Sequence, residues 1–242
     1  MSERAIRLHT PDELTAGARP SLDARAAHYL AKVMRARSGD VVRLFNARDG
    51  EWRAELAVAK RDVAATVVAR VRAPAAEPGP VLAIAAIKRA KLELVVEKAC
   101  ELGVARIQPL ATARGVVDRI NRERLAAIAT EAAEQCERLT VPAIGPLGAL
   151  EAFLAERTAE CDGARPLYAA LERADAPAFA AAVAAHGPGD LLIGPEGGFA
   201  AAEHTAAAAA PGVVAVSLGP RILRAETAAI TGLAGLALRM SG

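Results

Sequence analysis

Two short stretches hold most of the residues whose types and spacing suit chemistry. The first is LLIGPEGGF, Leu191 to Phe199. It reads as a buried strand, a turn made of Gly194, Pro195, Glu196, Gly197 and Gly198, and a helix starting near Ala200. The second is LGPRILRAETA, Leu218 to Ala228, which follows the strand-like VVAVS and leads into a helix of small residues. Glycine lets a backbone approach a ligand closely, and the free amides at a helix start can bind a carboxylate or phosphate. Neither stretch is GxGxxG or GxxxxGK[ST], so the usual dinucleotide and triphosphate sites are not indicated. Taken alone, the first loop also reads as an ordinary tight strand–helix turn. The second is harder to explain that way, because Arg221, Arg224, Glu226 and Thr227 fall within seven residues. Capping accounts for part of this, since Glu226 and Thr227 stand where a helix begins, and Arg224 can pair with Glu226 or Glu196. Two such loops at neighbouring strand ends would form a cleft rich in amide and carbonyl groups, where open α/β sheets bind ligands. Such a cleft suits a neutral or zwitterionic ligand with an adenine-like edge better than a triphosphate.

Other chemistry is thinly represented. His9, His28, His186 and His204 have no metal-ligand spacing with one another or with a cysteine, and no GxSxG elbow occurs. Cys100, Cys136 and Cys161 are far apart and form no CxxC, so neither a metal nor a redox pair is expected. With no apolar leader in MSERAIRLHT, this points to a reducing cytoplasm. No apolar run reaches the roughly 18 residues of a membrane span. Lys88, Arg89 and Lys91 open a helix, where cations oppose the macrodipole; they form either a solvated face or a phosphate-contacting patch. Residues 1–72 hold 14 Lys+Arg against 9 Asp+Glu, whereas the remainder holds 16 against 19. The basic first part favours a polyanionic partner, or is a merely solubilised surface. Aromatic residues make up 3% of the chain, so stacking platforms for bases are scarce.

The elements that must position these residues fall into two grammars. In residues 1–72, SLDARAAHYLAKVMR reads as a helix capped by Ser21 or Asp23. GDVVRLFNARDGEWRAELAVA reads as a hairpin and ATVVARVR as a further strand. A small β-barrel or sheet with one helix is expected there. APAAEPGP, residues 73–80, reads as a linker. From residue 81 to 242 strands and helices alternate, beginning with the apolar VLAIAAI, and an α/β domain with a mostly parallel sheet follows.

IGPEGGF…E followed by SLGPRILRAETAA resembles the RsmE family of 16S ribosomal RNA uridine N3-methyltransferases. KLELVVEKACELGVARIQPL, EAAEQCERLTVPAI and HYLAKVMRARSGDVVRLFNARDGEW are similar to further segments of that family, in the same order along nearly the whole chain. Two segments depart from its pattern: ARGVV at 113–117, in place of a polar pair, and Asn46-Ala47 in LFNARDG, in place of Asp-Gly. Both bear on local RNA contacts more than on the fold. The resemblance implies a SPOUT-type sheet with a C-terminal trefoil knot and a PUA-like N-terminal RNA-binding domain. It implies S-adenosyl-L-methionine held by Ile193, Gly194, Pro195, Glu196, Gly197, Gly198, Leu218, Gly219, Ile222, Leu223 and Thr227. Arg224 is then the candidate to stabilise a uracil anion, and Glu226 either accepts the proton or orients Arg224. Arg4, His28, Arg35 and Arg37 match basic RNA-contacting positions, which Lys88, Arg89 and Lys91 would extend. The implied partners are 16S rRNA of the small ribosomal subunit and a second copy of the chain, with no metal and no membrane.

Overall fold

The computed structural model describes residues 6–59, 62–115, 117–161, 164–171 and 176–240. The chain divides into two compact units, one of Met1–Glu77 with Ala133–Val141 and one of Pro78–Ala132 with Pro142–Gly242. The return of residues 133–141 to the first unit has no sequence cue, because their helical pattern continues that of the second.

In the first unit, β1 (Arg7–His9), β2 (Val41–Asn46), β3 (Gly50–Ala59) and β4 (Asp62–Arg72) form one sheet in that order. β1 runs parallel to β2, and the remaining pairs are antiparallel. Period-two alternation drives the layer: Val42, Leu44, Ala54, Leu56, Val63, Ala65 and Val67 face one core with Leu8, Leu14 and Leu30. The far edge is partly closed as well. The Gly17 amide donates to the Val67 carbonyl at 2.8 Å, and the Val67 amide to the Ala18 carbonyl at 2.9 Å. The expected single helix is α1 (Ala24–His28) followed by a π-helical turn, Tyr29–Val33. Asp23 is its cap, accepting from the Ala26 amide at 2.6 Å.

Arg7 ties the returning segment down. Its guanidinium donates to the carbonyls of Ala133, Glu134 and Arg138 at 2.9, 3.1 and 3.0 Å and pairs with Glu51 at 3.1 Å. A cation there satisfies carbonyls that a helix end leaves unpaired. Glu77 grips the same segment, accepting from the amides of Leu139 and Thr140 and the Thr140 hydroxyl. Burial alone would push its carboxyl up in pKa, but these hydrogen bonds and Arg138 outweigh burial and hold it below the usual range.

The second unit is a wholly parallel sheet with helices packed against it. In chain order it has β5 (Val81–Ala85), α2 (Arg89–Glu101), β6 (Arg106–Ala111), α3 (Arg122–Cys136, whose last turn belongs to the first unit), β7 (Ala143–Ile144), β8 (Gly148–Ala149) and α4 (Leu150–Cys161). Then come β9 (Leu167–Ala170), α5 (Phe179–His186), β10 (Asp190–Ile193), α6 (Ala201–Ala209), β11 (Val213–Ala215) and α7 (Ala225–Met240). The strand order is β11-β9-β10-β5-β6-β7, with β8 beside β6. β5 and β10 lie side by side in the middle and are buried on both faces, which is why their sequences are unbroken apolar runs. Helix α7 packs on β10, β5, α2 and α5. A methyl group on Gly232 would lie 2.6 Å from the Leu191 side chain, so at least part of the small-residue pattern of α7 serves this chain's own core.

Candidate active site

The carboxyl ends of β9, β10 and β11 are neighbours because β9 stands between β11 and β10. The end of β9 and the loops after β10 and β11 enclose a hollow of about 280 Å³. Ile193, Gly194, Pro195, Glu196 and Gly198 line it from the first motif, and Leu218, Gly219, Ile222 and Leu223 from the second. The two motifs thus share one cavity. Ala170 and Leu171, at the end of β9, supply a third wall, along with Phe199, Val216, Ser217 and Arg221. This third wall was not legible in the sequence, since nothing in PLYAAL marks it and only the strand order brings Ala170 and Leu171 there.

Gly197 and Thr227 stand outside the lining. The Gly197 carbonyl accepts from Arg114 Nη1 at 2.9 Å, and Thr227 is exposed on the first turn of α7. Gly219 has φ +124, a conformation that side chains rarely adopt, and a Cβ there would meet no protein atom within 4 Å. The hollow therefore has backbone amides and carbonyls, aliphatic walls and a glycine cradle, as a nucleoside with a polar edge requires.

Helix α2 reaches the rim. Lys91 Nζ lies 3.3 Å from Glu196 and 3.2 Å from Glu226. Glu226 is therefore engaged by Lys91, which the packing of α2 against α7 brings to it. The second carboxylate oxygen, Oε2, of Glu226 is buried with no hydrogen-bond partner among the described residues. The Glu196 carboxyl is held below its usual range: burial pushes it up, but its own amide, Lys91 and Lys88 outweigh that.

Arg224 is exposed and has no ion pair among the described residues. Lys88 precedes α2 and is also exposed, while Arg89 pairs with Glu93 at 2.8 Å. Two supports escaped the sequence reading. Buried Glu203 accepts from the Ala113 amide at 2.7 Å and from the Ala200 amide at 2.9 Å, and so joins the loop after β6 to the start of α6. Arg114 does the same for the Gly197 loop. Glu203 is the trailing glutamate of the IGPEGGF…E pattern, the one signal that could have found it.

In the first unit, His28, Arg35 and Arg37 are exposed beside the exposed apolar residues Tyr29, Val33 and Met34, and Arg4 lies outside the described residues. Asn46 is buried: its amide nitrogen reaches the Asp12 carbonyl at 3.0 Å, and its oxygen accepts from the Asp49 amide at 2.7 Å. The departure at that position is thus a piece of turn construction, not a surface contact. Among the described residues there is no cluster of metal-ligating side chains, and no helix is long and apolar enough to cross a membrane.

Comparison with known proteins follows the same division. Residues 77–237 match the model of an RNA methyltransferase domain, and residues 22–68 that of an RNA methyltransferase PUA domain. The chain is 34% identical over 214 residues to ribosomal RNA small subunit methyltransferase E of Rickettsia conorii, covering 87% of this chain and 86% of that protein. The Bacillus subtilis protein of the same name is 32% identical over 229 residues, covering 89% and 88%. Among solved structures, a Legionella pneumophila methyltransferase in complex with the cofactor SAM superposes with TM-score 0.85 at 31% identity, covering 98% of each chain. The Neisseria gonorrhoeae ribosomal RNA small subunit methyltransferase E bound to S-adenosyl methionine gives 0.82 at 28% identity, covering 97% and 98%. The glycine-lined hollow at three parallel strand ends, the preceding PUA domain and this full-length likeness place the chain in the family of ribosomal RNA small subunit methyltransferase E.

Proposed function

We propose that the chain methylates N3 of a uridine in 16S rRNA of the small ribosomal subunit, using S-adenosyl-L-methionine. The observation that carries this is the single hollow shared by the GPEGG and GPRIL loops. The cofactor, when bound, supplies a methyl group on a sulfonium centre. Ile193–Gly198 and Leu218–Leu223 would hold its nucleoside and amino-acid parts.

The remaining work is to place the acceptor nitrogen in line with the methyl and to remove its proton. Removing that proton costs about 1.4 kcal/mol for each unit its pKa lies above ambient. Arg224, exposed at the mouth of α7 and without an ion pair among the described residues, would stabilise the uracil anion. Glu226, paired with Lys91 through one oxygen, either accepts the proton or orients Arg224.

The basic, partly apolar surface around His28, Arg35 and Arg37 in the first unit would carry phosphate contacts, and Lys88 in the second unit would make its own. Return of α7 over β10 and β5 after edge strand β11 supports the C-terminal trefoil knot of SPOUT enzymes. Exposed Ile222 and Leu238 are apolar surfaces that a second copy in a homodimer would cover. An enzyme of ribosomal RNA would work in the cytoplasm.

The test is methyl transfer to small ribosomal subunits from a strain lacking the gene, with nucleosides mapped by mass. Arg224→Ala should lower the rate at least ten-fold while cofactor binding persists, and Glu226→Gln should lower it as far even at saturating cofactor. Near-native rates in both would remove them from the chemistry, and methylation of another base would overturn the assignment of uridine.

A further inference from the structure

A second cavity, of about 360 Å³, lies beside the start of α2 and shares no lining residue with the cofactor hollow. Its floor is aliphatic: Ile87, Leu92, Val117, Ile120 and Leu125. Arg89, Arg119 and Arg124 stand around it. We propose that this slot receives an unpaired nucleobase of the RNA substrate; the proposal rests on the RNA methyltransferase reading above.

Three features argue for a base. The first is charge. Arg89 and Arg124 share one carboxylate, Glu93, at 2.8 and 3.7 Å, and Arg119 is exposed with no ion pair among the described residues. Three guanidiniums against one carboxylate leave a cationic rim around an apolar floor. An occupant needs a flat apolar body and negative charge beside it, which a nucleotide combines. An apolar peptide would leave the guanidiniums without counter-charge.

The second feature is the shortage of alternatives. In the second unit Phe153, Tyr168, Phe179 and Phe199, which are all its aromatic residues, are buried. No aromatic platform is open to a splayed base there, so aliphatic and guanidinium surfaces must take that role.

The third is a fixed polar group. Asn121 also lines the slot, and its carbonyl oxygen accepts from the Arg124 amide at 2.9 Å. This capping bond holds the side-chain amide in one orientation and leaves its NH₂ as a donor for a base carbonyl.

Position completes the argument. Arg89 and Leu92 line the slot while Lys91, in the same helical turn, contacts the cofactor loop at Glu196. The two cavities are therefore separated by roughly the 10–12 Å width of one helix. A base held in the slot would fix a strand whose target uridine enters the neighbouring hollow.

The experiment measures binding of a labelled single-stranded RNA of about 12 nucleotides to the full chain, and of the same sequence as a duplex. Ile120→Ser and Arg119→Ala are compared with the parent protein, with S-adenosylmethionine titration as the check on folding. Ile120→Ser should weaken single-strand binding on the order of ten-fold and leave duplex binding and cofactor affinity unchanged. Arg119→Ala, at an exposed position that cannot disturb the core, should lower the salt slope for the single strand by about 0.7. Unchanged single-strand affinity in both variants overturns the slot. So does a change in the sedimenting mass of Ile120→Ser without a change in RNA affinity, which would assign the groove to a second copy. Failure of the parent protein to bind either RNA also overturns the slot, while methyl transfer to small ribosomal subunits tests the function separately.

Discussion

Lys91 offers a decision between two readings of the α2 cations. If it contacts phosphate, replacing it should reduce RNA binding and its salt dependence. If it holds the cofactor loop to α7, replacing it should cost stability and cofactor affinity. Lys91→Met keeps the aliphatic stem and removes only the charge. The Glu226 side chain is 15% exposed and its ion pair is 3.2 Å long. Removing one partner of a fully buried pair costs about 3–5 kcal/mol. The Glu196 side chain is 37% exposed, so its share is that of a surface pair, about 0–1 kcal/mol. Lys91 is itself 25% exposed, which puts the total near the lower end, about 3 kcal/mol. Glu226 already has one buried oxygen without a partner, and the variant would strand the other. We expect a loss of about 3 kcal/mol in chemical denaturation and cofactor binding weaker by at least ten-fold in calorimetry, with the salt slope of RNA binding unchanged. Glu226→Gln added to Lys91→Met should restore much of the stability, because the stranded charge is gone. A stability loss under about 1 kcal/mol together with a salt slope smaller by about 0.7–0.9 would refute this reasoning and return Lys91 to the RNA track.

Two further predictions concern the first unit, where Trp52, the chain's one tryptophan, reports by fluorescence. Arg7→Met strands three carbonyls and the Glu51 carboxylate; its side chain is 7% exposed, so we expect a loss of about 3–5 kcal/mol by urea denaturation, and a loss below about 1 kcal/mol would contradict its anchoring role. The Asp49 carboxyl is lowered to about 2, first by its hydrogen bond from Arg48, then, against the cost of burial, by the Leu14 amide and Asn46. A carboxyl depressed in the folded state stabilises above its unfolded pKa of about 3.9 and loses that contribution as pH falls toward about 2. Stability of the parent relative to Asp49→Asn should therefore fall across that window, and identical pH profiles would exclude the effect.

The sequence by itself determined the elements and the two motifs. Period-two alternation in DVVRLFN and EWRAELAVA requires a half-buried antiparallel pair, and the unbroken VLAIAAI and DLLIG require strands covered on both faces. Glycine, proline and charge between strand and helix marked the loops of Gly194–Gly198 and Leu218–Leu223, because few ordinary turns need that combination. All of this is local, set by residues within one or two turns of each other. Tertiary structure decided what lies far apart in the chain. Only the placing of β9 between β10 and β11 brings Ala170 and Leu171 into the hollow. Only the packing of α2 on α7 turns Lys91 from a surface cation into the partner of Glu196 and Glu226. Only the return of residues 133–141 gives Arg7 its carbonyls. Strand order and helix docking are fixed by how whole apolar faces pack together, a property of the assembled chain that no short window of residues carries.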